Sequence, residues 1–434
     1  MVKKVRFRRF LVITLSLLIL IGMAGCQAKD TSGGATKEGG SSAGKTKLTI
    51  WLWPGMGIEK QIKQYAKENN IEVDIQSSSF DDVHNNLTTA LAAGSGAPDI
   101  SAVEVKGIDK MKANPEHFYN LYDLGAEDIK GDYFDWKWNQ AQTADGKYLL
   151  GIPTDIGPQA MAYRVDIFEQ AGLPTNRDEV AKLMTTWDDY IKVGEQIKAK
   201  TGKAMIDTAN GMYSVIEGQG SEKYFDKDGK VIVKDNPQIK KAYKYATEII
   251  DKGLATNLDQ FSGEWGTGMT KGDFATLLAP AWMMTFMKQN APDAAGKWDM
   301  TQLPEGSGNW GGSFLTIPKE SKHAEEAYKL IKWLLSPEQQ LVTFKEAGNF
   351  PSTPKVYESE ELQNLTSDYF NGAPVGKIYA EAAKQVKPIV EGPESIQIEK
   401  IIGDSIKRIR DKKSTPEKSW KEAMDQLDRQ LSRD

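Results

Sequence analysis

The chain has 434 residues, of which 40% are hydrophobic, 26% are charged, 39 are glycine and 18 are proline. This average composition excludes a collagen-like, coiled-coil, disulfide-rich or wholly disordered protein, and the length predicts two or three domains with a sizeable core. The net charge is -5 and becomes -10 without the first 25 residues, which carry five basic side chains and no acidic one. This acidic balance argues against a nucleic-acid partner, because the phosphates of such a partner need a basic face.

Residues 1–25 have the pattern of a signal peptide. Basic residues precede an apolar run from Phe10 to Met23, which is short for a membrane span and ends in Met23-Ala24-Gly25-Cys26. The segment resembles a bacterial lipoprotein signal, although leucine is more usual than methionine at position 23. Cys26, the only cysteine, would then carry acyl chains such as palmitate and hold the protein at the extracytoplasmic face of the cell membrane. A buried thiol or a metal ligand is the alternative role for Cys26.

Residues 26–47 are predicted to be a flexible tether. After Cys26 this segment contains no aromatic residue, valine, leucine or isoleucine, so it has nothing to bury. A chain of this composition has a root-mean-square reach of roughly 25 Å.

Strands and helices alternate in the next part of the chain. Apolar or alternating patterns predict strands at Leu48–Trp53, 71–75 and Ile100–Val105, and helical spacing begins at Ile58 between the first two. A second helix is predicted from Asp81, a plausible N-cap, to a stop at Gly94. This β-α-β-α-β order predicts a mostly parallel sheet with helices on both faces.

Ligands of such sheets bind in the loops at the carboxyl ends of the strands. Trp53, residues 80–82 and residues 104–106 follow predicted strands and are the first candidates for a binding site.

The remaining patterns continue the alternation of strands and helices. Strands are predicted at Leu149–Pro153, Met161–Tyr163, Trp298–Leu303 and Gly311–Pro318, helices at Trp187–Lys200, Pro237–Lys252, Ala324–Leu335 and Ile396–Leu431, and a strongly apolar block at Phe274–Met287.

From Leu48 to the C-terminus, several short motifs in a specific order resemble the family 1 extracellular solute-binding proteins. These are carbohydrate receptors of ABC importers with a maltose-binding-protein-like layout. The matching stretches are LTIWLW at 48–53, LAAGSGAPDI at 91–100, DGKY at 145–148, GIP at 151–153, AYRVDIFEQAGL at 162–173, TWDD at 186–189, KGDFA at 271–275, PAW at 280–282, GGS at 311–313 and IP at 317–318. The chain departs from the family at residues 163–165, where Tyr-Arg-Val stands in place of the usual Tyr-Asn-Lys.

The resemblance implies an α/β fold of two lobes, each with a mostly parallel sheet flanked by helices, joined by a hinge with a cleft between them. Residues 48–154 and 315–360 would form the N-terminal lobe, and residues 155–314 and 361–434 the C-terminal lobe. Chain crossings would lie near residues 153–158, 311–318 and 353–374, where glycine and proline cluster. The implied partners are a carbohydrate ligand and ABC permease subunits, with membrane contact only through the lipid anchor of a monomer.

A sugar-binding cleft needs aromatic faces for the C–H faces of the sugar rings. The resemblance implies a stacking role for Trp282, while Trp53 ends a strand, Trp310 precedes two glycines, and Trp265 and Phe350 lie in glycine-containing segments. Each of these aromatic side chains could instead belong to the core, and Trp265 could cap a helix.

The cleft also needs acceptors for sugar hydroxyl groups, and carboxylates make the strongest hydrogen bonds. The resemblance implies a sugar-binding acid at Asp155, and Glu104 and Asp81 are further candidates. The alternative role is hinge capping for Asp155, an ion pair with Lys106 for Glu104, and helix capping for Asp81. Gly312 would let the backbone approach the ligand closely.

The sequence gives little support to catalysis. Its three histidines are far apart, no phosphate-binding loop appears, and no cofactor or metal is predicted. A carboxylate pair could still hydrolyse glycosides, so a secreted glycosidase is the alternative to a sugar receptor.

Overall fold

The computed structural model describes residues 45–432. The predicted signal peptide, Cys26 and all but the end of the predicted tether lie outside the described residues.

The described residues form two β-sheets. Their strands are β1 (Lys47–Leu52), β2 (Glu72–Ser77), β3 (Ile100–Glu104), β4 (Gly151–Pro153), β5 (Gln159–Arg164), β6 (Ala204–Ile206), β7 (Phe274–Pro280), β8 (Trp298–Thr301) and β9 (Ser313–Thr316). The first sheet has the order β2-β1-β3-β9-β4 and the second β6-β7-β5-β8. Only β9 in the first sheet and β5 in the second run against the other strands. The predicted two-lobe α/β fold with mostly parallel sheets is confirmed.

Helices connect these strands. The α-helices between residues 45 and 432 are α1 (Glu59–Glu68), α2 (Phe80–Ala93), α3 (Val105–Met111), α4 (Asp135–Gln140), α5 (Val165–Gln170), α6 (Arg177–Leu183), α7 (Trp187–Thr201), α8 (Ala209–Gly218), α9 (Pro237–Asp251), α10 (Gly263–Lys271), α11 (Met283–Asn290), α12 (Ala324–Leu334), α13 (Pro337–Ala347), α14 (Glu360–Gln363), α15 (Val375–Ala383), α16 (Ser395–Arg410) and α17 (Pro416–Leu431).

The helix ends show why these segments fold as they do. The Ser79 hydroxyl accepts a hydrogen bond from the Asp82 amide and caps α2, which ends at Gly94 in the left-handed conformation. The stop at Gly94 is confirmed, whereas the prediction that Asp81 caps this helix is wrong. Asp81 lies one residue inside α2, because serine at 79 already satisfies the exposed amide.

The apolar block 274–287 divides into two elements. Residues 274–280 form β7, which is buried throughout, and α11 follows from Met283. The strand is apolar except at Thr276, whose hydroxyl donates to the Met205 carbonyl, because both faces of β7 are buried. The strand ends just before Trp282, which places this residue at the carboxyl edge of the second sheet.

The chain passes between the two sheets more than once. It leaves the first sheet after β4 and returns before β9, so the connections at residues 154–158 and 302–312 join the lobes near two of the predicted crossings. Leu335 packs in the core of the first sheet, and Leu341 joins the core of the second. This third passage lies upstream of the predicted crossing at 353–374. The lobe boundaries stay a prediction, since α13 also bonds to α1 through Gln61 and Thr343 (2.9 Å).

Candidate functional site

A cleft of about 1050 Å³ lies between the two sheets. On the first-sheet side it is lined by the loop after β1, by α2 and by the start of α3. On the other side it is lined by α8, residues 260–261, α11 and α16, and its floor is formed by residues 154–155 and 310–313. Trp53, Glu104, Asp155 and Trp282 each lie at or just after the end of a strand, as expected for a sheet with helical crossovers.

The second-sheet wall of the cleft is aromatic. The Trp282 indole Nε1 donates a 3.0 Å hydrogen bond to the Trp310 carbonyl, and the two rings meet edge to face at 5.2 Å. Phe286 lies edge to face with Trp282 at 5.7 Å, and Phe261 lies nearly parallel to it at 6.4 Å. Edge-to-face contacts fix ring orientation. This wall therefore presents an ordered apolar surface.

The first-sheet wall carries a smaller aromatic cluster. The Trp53 ring lies edge to face with Phe80 at 5.1 Å and nearly parallel to the His84 imidazole at 5.4 Å. Phe80 is 44% exposed, so this apolar ring faces solvent at the rim of the cleft. Apolar surfaces thus face the cleft from both lobes.

His84 joins α2 to the end of β3. Its Nε2 accepts a 3.0 Å hydrogen bond from the Glu104 amide, and its Nδ1 is 2.8 Å from the Phe80 carbonyl oxygen. An amide can only donate, so Nε2 carries no proton and Nδ1 donates to Phe80. The ring is therefore neutral, in agreement with burial that lowers the pKa of His84 despite the opposing effects of Phe80 and Asp81.

We expect the protein to lose stability when the pH falls below about 6.5, the ordinary histidine pKa. The native state disfavours charged His84, so the unfolded chain takes up this proton first. Neutral His84 therefore makes its full contribution to the free energy of unfolding above pH 6.5. This contribution is lost as the pH falls from 6.5 through the lower pKa that His84 has in the native protein. Thermal unfolding between pH 5 and 8 measures this loss. In His84→Gln the melting temperature should fall less steeply below pH 6.5 than in the wild-type protein. Identical pH profiles for the two proteins would contradict this assignment.

The floor of the cleft carries a buried acid. Asp155 is 7% exposed. Its Oδ1 accepts hydrogen bonds from the Ser313 amide (3.0 Å) and the Thr154 hydroxyl (2.5 Å). Burial raises the pKa of Asp155, while Thr154 and the Lys137 ammonium oppose that rise. Asp155 ties β4 to β9 and also lines the cleft, so the predicted hinge and ligand roles are compatible.

Lys137 lies beneath this floor. Its ammonium group has no hydrogen-bond partner and sits 4.0 Å from the centre of the Phe314 ring. Burial lowers the pKa of Lys137 to about 8, against the attraction of Asp155, Glu104 and Asp109. The charge of Lys137 is thus balanced by carboxylates at some distance.

Gly312 is required by both conformation and space. Its φ is +100°, and a Cβ would lie 2.8 Å from both the Asp155 carbonyl oxygen and Lys137 Nζ. We expect Gly312→Ala to cost about 2 kcal/mol or more in urea unfolding, because strain and a backbone clash add. Gly296→Ala is the control, with φ +75° and no atom within 4 Å of the added Cβ. Equal losses in the two variants would show that the clash contributes nothing.

Charged side chains connect the lobes at one end of the cleft. Lys106 at the start of α3 forms an ion pair with Glu399 of α16. Lys223 lies 2.9 Å from Glu217 and 3.9 Å from Glu399. Burial alone would raise the pKa of Glu399, but Lys106 and Lys223 hold it below its usual value. Lys106 does not pair with Glu104, whose side chain instead accepts from the Lys106 amide (2.9 Å) and caps α3.

Seven predicted ligand-binding residues line the cleft: Trp53, Asp81, Glu104, Asp155, Trp282, Trp310 and Gly312. Their contact with a ligand stays a prediction.

Two predicted site residues need correction, because both are fully buried. Trp265 packs in the core of the second lobe, and its Nε1 donates to Asp207 Oδ2 (2.9 Å). It does not cap a helix either, since Ser262 is the N-cap of α10 and Trp265 is the third residue of that helix, with its amide bonded to the Ser262 hydroxyl. Phe350 packs against Phe344 (4.8 Å) and other aromatic rings. Neither ring can stack on a ligand in the cleft.

Sequence reasoning missed His84, Phe261, Phe286 and Glu399, which all line the cleft. His84 follows Phe80 by one helical turn and Phe286 follows Trp282 by the same interval, a spacing that places them on the same helix face. Glu399 has no such signal, since its partner Lys106 is 293 residues away.

The helices and the potential metal-ligating side chains of residues 45–432 bear on two other classes of site. None of the helices there is both long and apolar enough to cross a membrane. The same residues contain no group of three or more His, Cys, Asp or Glu side chains placed to hold a metal ion.

Comparison with known proteins identifies the family. Residues 60–367 match the model of a bacterial extracellular solute-binding protein family. The chain is 29% identical to the arabinooligosaccharide-binding protein of Bacillus subtilis (strain 168), over 95% of this chain and 96% of that one. It is also 29% identical to the lactose-binding protein of Rhizobium radiobacter, over 80% and 84% of the two chains. A crystal structure of a family 1 extracellular solute-binding protein superposes with a TM-score of 0.81 at 36% identity, over 88% of this chain and 99% of that one. This chain therefore belongs to the bacterial extracellular solute-binding protein family.

Proposed function

We propose that this protein is an extracytoplasmic carbohydrate receptor that captures an oligosaccharide between its lobes and delivers it to an ABC transporter permease. The observation that carries the proposal is the cleft, where aromatic rings of both lobes surround a floor with a buried carboxylate. Its volume of about 1050 Å³ is at the upper end of ordinary ligand pockets, which suits more than one sugar unit.

The chemistry of the walls fits a sugar. Trp53 and Trp282 offer flat apolar faces from opposite lobes to the C–H faces of sugar rings. Asp155 and Glu104 offer charged acceptors to hydroxyl groups, and the backbone at Gly312 is open to the cleft. The relatives named for arabinooligosaccharide and lactose binding support the same ligand class.

Capture by lobe closure follows from the connections between the lobes. Few chain segments cross between the sheets, and a small change in their φ and ψ angles would move one lobe against the other. The ion pair between Lys106 and Glu399 would form as the lobes meet at that end of the cleft.

Membership of an extracellular family implies a location outside the cytoplasm. We further propose that Cys26 is lipidated after removal of residues 1–25 and that the monomeric receptor is tethered by residues 26–47. Members of this family are binding proteins, and we propose that this chain likewise leaves its ligand unchanged.

A panel of neutral oligosaccharides tests the function. Arabinotriose, xylotriose, cellotriose, maltotriose, galactobiose and lactose would each be titrated into the protein by calorimetry, and the mixtures analysed for cleavage products. Saturable one-to-one binding without turnover is expected for at least one sugar. Turnover would support the glycosidase alternative, and absence of any binding would overturn the sugar-receptor proposal.

A further inference from the structure

Phe261 has an unusual backbone conformation for an aromatic residue. Its φ is +67°, in the left-handed region that bulky side chains avoid. The other non-glycine residues with positive φ in the described part of the chain are Asn70, Glu305, Asn371 and Lys412. Asparagine is common in this region, whereas phenylalanine there is a strained outlier.

Hydrogen bonds on both sides of Phe261 hold this conformation in place. Gln260 Nε2 donates to Asp207 Oδ2 (2.8 Å), an oxygen that also accepts from the Trp265 indole. The Ser262 hydroxyl donates to the Asp259 carbonyl (2.7 Å) and accepts from the Trp265 amide. The residues on both sides of Phe261 are thus anchored through their side chains, which favours the observed backbone conformation at residue 261.

The strain does not serve to bury the ring. Phe261 is 50% exposed and lines the cleft, although phenylalanine normally gains stability from burial. The ring lies nearly parallel to Trp282 (23°) and edge to face with Phe286 at 5.6 Å. It extends the aromatic wall of α11 to the rim of the cleft.

We propose that Phe261 is a ligand-contacting residue, held in a strained conformation so that its ring continues the Trp282 surface over a further unit of the bound oligosaccharide. This inference rests on the proposed function. It predicts that the residue best suited to the backbone at 261 is not the one best suited to ligand binding.

Three variants separate the two requirements. Phe261→Asn and Phe261→Ala both remove the ring, but asparagine tolerates positive φ better than alanine. Phe261→Tyr keeps the ring. Lys412→Asn is the matched control, because Lys412 has φ +56° and lies outside the cleft.

The measurements are the melting temperature of the ligand-free protein and the affinity for the panel sugar that the wild-type chain binds most tightly. Phe261→Asn should melt above Phe261→Ala, while both bind about tenfold more weakly than wild type. Phe261→Tyr should bind within about twofold of wild type, and Lys412→Asn should leave the affinity unchanged.

Either of two results would overturn this inference and leave the proposed function standing. One is an unchanged affinity in Phe261→Asn, and the other is a melting temperature of Phe261→Ala at or above that of Phe261→Asn. If the wild-type chain binds no sugar of the panel, the proposed function fails and the inference falls with it.

Discussion

Trp282→Ala is expected to weaken oligosaccharide binding by about 100-fold. The indole lies at the centre of the aromatic wall, with Trp310, Phe286 and Phe261 each in ring contact with it. Truncation removes the face that would stack on the sugar and also removes the support for its neighbours. A loss of about 2.7 kcal/mol, within the range for a buried aromatic anchor, corresponds to this factor. Calorimetric titration of the tightest panel sugar measures it.

Two controls sharpen this result. Trp282→Phe keeps an aromatic face but loses the hydrogen bond to the Trp310 carbonyl, so we expect an intermediate affinity. Trp333→Ala removes an indole that packs on Tyr65 (5.1 Å) and does not line the cleft, so binding should be unchanged. A Trp282→Ala variant that binds like Trp333→Ala would remove Trp282 from the site.

Asp155→Ala is expected to lower the free energy of unfolding by about 2–4 kcal/mol. The change breaks the hydrogen bond to the Ser313 amide between β4 and β9. It also removes the carboxylate with the largest opposing effect on the buried Lys137 ammonium, whose pKa burial already lowers to about 8. Removing one partner of a buried charge set is costly because the other charge is left uncompensated. Urea unfolding at pH 7 measures the loss.

The companion variant is Asp155→Ala combined with Lys137→Met, which removes the uncompensated charge. The double variant should recover part of the stability lost in Asp155→Ala, because methionine fills the space without a charge. Equal stability of the single and double variants would show that Lys137 and Asp155 are not coupled. Neither variant should regain ligand affinity, since both lack the Asp155 carboxylate.

Local patterns predicted the elements well. The strand at 48–53 is β1 within one residue, and the helix at 187–200 is α7 with its C-terminus one residue later. The caps explain this success, since Thr186 and Gly202 bracket α7 with a hydroxyl acceptor and a left-handed glycine. Such signals depend only on neighbours in the chain.

The burial of individual side chains was harder to predict from the sequence. Trp265 and Trp282 both lie in segments that contain glycine or proline, yet one is fully buried and the other lines the cleft. The indole N–H of Trp265 bonds to Asp207 within the core, more than 50 residues earlier in the chain, whereas that of Trp282 bonds to the Trp310 carbonyl at the cleft. The residues next to each tryptophan in the sequence do not indicate which group accepts the hydrogen bond of its indole N–H.

The amino-acid sequence by itself determined the alternation of strands and helices and the residues that follow strand ends, such as Trp53 and Asp155, and the lipoprotein signal that it predicts at Cys26 stays a prediction. Only the tertiary structure decided that His84 meets the Glu104 amide, that Lys106 pairs with Glu399 and that Phe261 is held at positive φ. Periodicity and capping act over a few residues, so they can be read along the chain. Burial, charge pairing and strain depend on elements that pack together from distant parts of the chain, and they take their values only when the lobes are assembled.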